Sequence, residues 1–135
     1  MTSVSRASLL AKFRRNPPVD PGSIDRCQAH LNFLLPADYI QFLHLGDGGE
    51  GFVGESYLVL WHAEELVEMN SSYQVAEAAP GLFLFGSNGG GEAYAFDTRS
   101  VVAKIVSVPF VVMELSAVLE IAPDFETFLK TLSRS

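Results

Sequence analysis

Apolar residues recur in two rhythms along the chain, helical at both ends and strand-like in the middle. Leu9, Leu10 and Phe13 stand at helical spacing within Ser5 to Arg15, and the prolines of NPPVDPGS then break the pattern. A short N-terminal helix and a linker are predicted there. Ser23 can cap a second helix with Ile24, Cys27, Leu31, Leu34 and Leu35 on one stripe, closed by Pro36. A third runs from Asp38 to Leu45, opened by Pro36 and stopped by the glycine of GDGGEG. FVGESYLVLW, GLFLFGSN, EAYAF and KIVSVPFVVM follow, runs rich in Val, Tyr, Phe and Leu that read as strands. Between them, Ala63 to Ala79 reads as a helix interrupted near Asn70, Ser71 and Ser72. The last helix is APDFETFLKTL: Pro123 suits a first turn, Asp124 and Glu126 favour its positive end, and Phe125, Phe128, Leu129 and Leu132 share a stripe.

Helices first, strands next and a helix last predict an α+β fold. Its central sheet should be largely antiparallel or mixed, with the N-terminal helices and the C-terminal helix packed on it. A chain of 135 residues fits one domain, and 48% hydrophobic against 19% charged residues is core-forming composition. No apolar run approaches the ~18 residues of a membrane helix, and no secretory pattern opens the chain. A cytoplasmic protein with no membrane partner is expected. Cys27, the only cysteine, has no second thiol to pair with and reads as a small buried hydrophobe.

Charge is unevenly spread. The net charge is −7, yet residues 27–98 hold ten acids and no Lys or Arg, while residues 1–26 carry five bases against two acids. Acids in such a stretch cannot be paired locally, so some must face water as a negative field. That field repels nucleic acid and anionic lipid and attracts a basic protein.

The glycine-rich loops do not fit a ligand. A phosphate cradle needs amides at a helix start and usually a cation; GDGGEG follows a helix, and SNGGGE lies between two strands before an acid. A calcium loop counted from Asp47 would put Gly49, Gly51, Val53 and Leu58 at ligand positions. SNGGGE is therefore expected to join LFLF to EAYAF as a hairpin, with Asn88 and glycines accepting positive φ. Alternation along EAYAF sets Glu92, Tyr94 and Phe96 on one face and Ala93, Ala95 and Asp97 on the other, the aromatics in the core and the acids solvated or bonded to loop amides.

Reactive groups are no better supplied. Ser87 lacks the first glycine of a nucleophile elbow, since Phe85 stands there. His30, His44 and His62 show no metal-binding spacing, and Cys27 with His30 has little nearby to activate the thiol. No catalytic residue, cofactor or metal is expected. Glu64, Glu65 and Glu68 cluster at a helix start, where the dipole's favour and the Glu64–Glu68 repulsion are of similar size.

Four ordered blocks carry a resemblance: LPADYIQFLHLGDGG, YLVLWHAEELVEMNSSY, LFLFGSNGGGEAYAFDT and EIAPDFETFLKTL. Together they resemble the SUKH superfamily, which includes the fungal cell-wall-assembly regulator, over about residues 24–132. The shared features are Leu35-Pro36 before a helix ending at Gly48-Gly49, a glycine hairpin running from Gly86 to Asp97, and Ile121-Ala122 ahead of the aromatic last helix. Asn88 departs from the acid common in that hairpin. The match sets residues 1–22 apart as arm and linker and 23–135 as a SUKH-like domain. The resemblance implies a non-enzymatic α+β protein that binds another protein: in bacterial members an immunity protein neutralising a toxin, or alternatively a regulatory or scaffolding domain with an endogenous partner. With the acidic segment, it makes a basic, nucleic-acid-targeting toxin domain the expected partner. Asp47, Glu50, Glu55, Glu64, Glu65 and Glu68 are the candidate contacts, with Tyr57 and Trp61 as aromatic anchors.

Overall fold

The computed structural model describes residues 9–134 of the chain. Strand β1 (Phe13–Arg15) leads to α1 (Pro21–Ala29) and α2 (Ala37–Leu45), and a hairpin of β2 (Gly49–Val53) and β3 (Ser56–Leu60) follows. After a 3-10 turn at Ala63–Glu65 come α3 (Leu66–Ser72) and α4 (Val75–Ala78), then β4 (Leu82–Ser87), β5 (Glu92–Asp97) and β6 (Lys104–Pro109). A second 3-10 turn, Leu115–Ala117, precedes β7 (Leu119–Ala122) and α5 (Phe125–Ser133). Among the described residues the strands form one sheet in the order β1 to β7, each antiparallel to its neighbour. This is the expected α+β architecture, and its sheet is antiparallel throughout.

The sheet has an inner face covered by α1, α2 and α5. Phe83, Phe85, Tyr94, Phe96 and Ile105 project there and meet Tyr39, Phe42, Phe125 and Phe128 from the helices. Phe85 stacks on Phe96 with centroids 4.5 Å apart, and Tyr39, Phe125 and Phe128 meet the Phe85 ring at steep angles. Such pairs add about 0.5–1.5 kcal/mol each beyond the burial of their area. Burial of Tyr39 pushes its phenol well above the ordinary range. The last helix forms as its sequence predicts. Asp124 accepts from the Thr127 amide at 2.7 Å, Phe125, Phe128, Leu129 and Leu132 are buried, and Asp38 of α2 adds a second cap by accepting from the Glu126 amide at 3.0 Å.

Among the described residues the outer face is covered only over β4 to β6. Leu82, Leu84, Ala93, Ala95, Val106 and Val108 lie beneath Val75 of α4, Ala79 just past its end, and Phe110, Met113, Leu115 and Val118 between β6 and β7. Tyr94 and Phe96 therefore face the inner core as the alternation predicts, while Ala93 and Ala95 are buried as well. Asp97 is buried on the outer side and bound to its neighbour Arg99, whose Nε and Nη2 donate to the two carboxylate oxygens at 2.9 and 2.8 Å. These bonds hold the Asp97 carboxyl below its ordinary range against the opposing effect of burial.

Several elements differ from expectation. Of the helix predicted over Ser5 to Arg15, residues 5–8 lie outside the described residues, and Phe13–Arg15 form β1 rather than helix. The cause is long-range pairing. Phe13 and Arg15 stand opposite Gly51 and Gly49, where a Cβ would come within 2.4 Å of the Lys12 carbonyl oxygen and 2.2 Å of the Arg14 carbonyl oxygen. The glycines of GDGGEG thus do more than stop α2: they admit a strand at van der Waals contact. Leu9, Leu10, Phe13 and Val19 are buried in the same core as α1 and α2. Ser23 is not a cap but lies buried inside α1, which begins at Pro21. That helix also stops at Ala29 instead of running to Leu35, because Gln28 donates to the Phe33 carbonyl at 2.6 Å and accepts from the Leu35 amide at 2.9 Å, holding the chain in a loop. Leu34, expected on the stripe, is 83% exposed.

Within FVGESYLVLW the end of β2 and the whole of β3 meet in a hairpin turned at Gly54 (φ +65°). The helical interruption comes at Tyr73 and Gln74, the latter left-handed at φ +53°, two residues past the expected place. Asn70 explains the shift. β3 pairs with β4 only at Ser87 and Gly86, which leaves the edge of β4 free at Leu84. The Asn70 side chain donates to the Leu84 carbonyl at 2.9 Å and accepts from its amide at 2.7 Å, standing where another strand's backbone would be. It also donates to the Leu66 carbonyl at 2.8 Å, which keeps α3 helical through this position. Among the described residues no helix is long and apolar enough to cross a membrane.

Candidate interaction surface

Alternation along β2 and β3 divides their side chains. Val53, Leu58 and Leu60 point into the core, whereas Glu50 and Phe52 on β2 stand opposite Val59 and Tyr57 on β3. Among the described residues no element lies over this second set. Phe52 is 47% exposed and meets the Tyr57 ring edge-on at 5.1 Å. The Tyr57 hydroxyl donates to the Glu50 carboxylate, which pushes the phenol above its ordinary range while Arg14 acts in the opposite sense. The SNGGGE hairpin supports the same ring. Asn88 Oδ1 accepts from the Gly90 amide at 2.8 Å, and Gly89 takes φ +80°, where a Cβ would stand 2.7 Å from Tyr57 Cδ2. The loop turns the chain as expected and also packs on an aromatic residue of the open face.

Beside this pair lies a hollow of about 460 Å³ whose lining includes Arg14, Arg15, Asn16, Glu50, Trp61, His62 and Glu65. The fold fixes its walls by polar bonds. Asp47 accepts from the Ala63 amide at 2.8 Å and contacts His62 Nδ1 at 3.2 Å, while Asn16 donates to the Asp47 carbonyl at 3.0 Å and meets His62 Nε2 at 3.3 Å. At the start of the 3-10 turn the Glu65 carboxylate accepts from the His62 amide at 3.1 Å, and the Glu65 amide donates to the His62 carbonyl at 3.0 Å.

The candidate contacts therefore occupy different places. Glu50, Trp61 and Glu65 line one hollow, with Tyr57 next to Glu50. Asp47 is half-buried and engaged in holding His62 and Ala63. Glu64 is exposed and lines a separate hollow with Arg26, Cys27 and His30, where burial raises the Cys27 thiol's pKa. Glu68 is exposed on α3. Glu55 is exposed at the β2–β3 turn, at the far end of β3 from Glu65 and next to Gly54, whose Cβ would touch Ser133.

Phe52, Arg14, Arg15, Asn16 and His62 join the surface without having been singled out from the sequence. Phe52 had a signal, since it alternates with the core residue Val53. The two arginines had none, because they belong to a segment that local spacing assigns to a helix. Their arrival also modifies the charge picture: the acids do face water, but cations from outside residues 27–98 fold against some of them. Among the described residues no three of His, Cys, Asp and Glu converge in a way that could hold a metal ion.

A profile of the SMI1 / KNR4 family (SUKH-1) matches residues 18–131. The chain belongs to this family. SUKH domains are known as immunity and regulatory domains and are generally non-enzymatic. The matched span takes in α1 to α4, all but the last two residues of α5, and strands β2 to β7, leaving β1 outside it. A search of curated proteins gave no significant match.

Proposed function

We propose that this SUKH domain is a protein-binding module that neutralises a toxin, one that attacks nucleic acid, by laying acidic surface over the toxin's cationic cleft. The supporting observation is the exposure of Glu50, Glu55, Glu64, Glu65 and Glu68 on a segment that contains no Lys or Arg of its own. A cleft shaped to bind phosphates presents cations, and carboxylates on a folded scaffold match that charge without paired bases or metal. Long-range attraction of this kind acts mainly on the encounter rate and fades with salt. Reversing Glu64 and Glu68 to Lys together should slow association with the cognate toxin about tenfold or more at low ionic strength. The dissociation rate should change less. An unchanged association rate at low salt would remove these residues from the interface.

A further inference from the structure

We infer that Asn88 is a site of spontaneous modification: the backbone nitrogen of Gly89 attacks its side-chain carbonyl, ammonia leaves, and water opens the resulting succinimide to aspartate or isoaspartate. This holds whatever partner the surface takes.

The first requirement is an approachable nucleophile. A side chain on the following residue shields its backbone nitrogen, and glycine has none. The turn itself demands glycine there, because Gly89 takes φ +80° and a Cβ would stand 2.7 Å from Tyr57 Cδ2. Gly89, Gly90 and Gly91 are exposed, so water reaches the imide for the second step.

The second requirement is an activated carbonyl. Asn88 Oδ1 accepts from the Gly90 amide at 2.8 Å and from the Glu92 amide at 3.2 Å. These donors fix which end of the side-chain amide is oxygen, and they point at the atom that becomes an oxyanion when the Gly89 nitrogen adds to Cγ. Among the described residues Asn88 Nδ2 donates to nothing, which leaves the departing nitrogen open to a proton from water. The Gly89 N–H donates to Ser87 Oγ at 3.1 Å, a hydroxyl that can relay its proton to solvent.

In the first step the Gly89 proton goes to hydroxide, the N–Cγ bond forms, and the Cγ–Nδ2 bond breaks as Nδ2 takes a proton from water and leaves as ammonia. In the second, water adds to one imide carbonyl and breaks its bond to nitrogen. Opening at Cγ gives aspartate in an unaltered chain. Opening at the main-chain carbonyl gives isoaspartate, with Cγ now in the main chain ahead of Gly89, where it would shift the support of the Tyr57 ring. Either product adds a carboxylate to the hairpin.

The remaining asparagines lack this combination. Asn16 precedes Pro17, which has no N–H. Asn32 precedes Phe33, a large side chain packed on Phe83 and Phe96. Asn70 precedes the small Ser71, but its Nδ2 is bound to the Leu66 and Leu84 carbonyls.

The full chain is held at mildly alkaline pH, folded and in guanidinium chloride, and peptide mapping by mass spectrometry locates each amide that has become an acid. Unfolded, both Asn88 and Asn70 should convert. Folding should slow Asn70 about tenfold or more, since its reaction waits for local opening, while Asn88 should hold its unfolded rate to within about threefold or exceed it. A larger fall at Asn88 would show that the hairpin protects it and would overturn the proposal. Residue 88 should yield both aspartate and isoaspartate; aspartate alone would mean direct hydrolysis and overturn the attack by Gly89. Asn88→Gln, whose longer side chain disfavours ring closure, should stop conversion at this position, with thermal unfolding confirming that the variant folds. Acid still forming there at the original rate would likewise overturn the route.

Discussion

The two halves of the sheet are built from the same meander, yet among the described residues β4 to β6 are buried on both faces and β1 to β3 on one. In the first half every residue from Leu82 to Ser87 is buried, and so is each from Ala93 to Asp97. In the second, buried positions alternate with Glu50, Phe52, Tyr57 and Val59, which are exposed or half-buried. The difference separates two tasks. Continuous apolar strands supply stability by filling both layers, whereas the alternating strands complete the core with one side and leave the other free for contact. On that free side Phe52 is exposed and Tyr57 half-buried, their rings in edge-on contact.

Stability should respond very differently in the two halves. Phe85→Ala empties the centre of the aromatic cluster, where the ring stacks on Phe96 and is fully buried, and should cost about 3–5 kcal/mol in chemical denaturation. Phe52→Ser on the open half should cost below ~1 kcal/mol. Similar losses at both positions would end the distinction. The next effect concerns the boundary between the halves. Asn70→Ala removes the side chain that satisfies the Leu84 amide and carbonyl, so about 1–3 kcal/mol should be lost, and hydrogen exchange at the Leu84 amide should accelerate while the Ala95 amide on β5 stays protected.

The smallest effect is confined to acid. Arg99 holds the folded-state carboxyl of Asp97 below its ordinary range, so the group contributes stability in full above its unfolded value of about 3.9. That contribution is lost as pH falls through the lower folded value. Asp97→Asn should therefore flatten the acid limb of a stability-versus-pH curve. Glu50, on the open half, accepts from Tyr57 at the surface and offers no comparable burial.

The parts of the fold legible in the sequence are those whose local and tertiary demands agree. In α5 the cap Asp124, the proline before it and the stripe of Phe125, Phe128, Leu129 and Leu132 all specify the same helix. β5 was legible because alternation alone sets which of its side chains face which layer. β1 was not: Leu9, Leu10 and Phe13 have helical spacing, but Phe13 to Arg15 pair with Gly49 and Gly51 far along the chain. The end of α1 and the break before α4 depend on the side chains of Gln28 and Asn70 reaching distant backbone, which spacing does not reveal.

The candidate surface divides in the same way. Composition showed that acids must face water, and Glu50, Glu64, Glu65 and Glu68 do. It could not show that Asp47 is engaged in holding His62, or that β1 brings Arg14 and Arg15 beside Glu50 and Trp61. Glu50 and Trp61 became neighbours through strand register, a property of the pairing and not of the residues between them.

The most direct measurement is side-chain footprinting of the full chain by hydroxyl radicals, with and without the bound partner, read by mass spectrometry. Phe52, Tyr57 and Trp61 should lose reactivity when the partner binds, while Leu34 and Val111, exposed elsewhere at 83% and 92%, keep theirs. Protection of Leu34 or Val111 with Phe52 and Tyr57 still reactive would contradict the account.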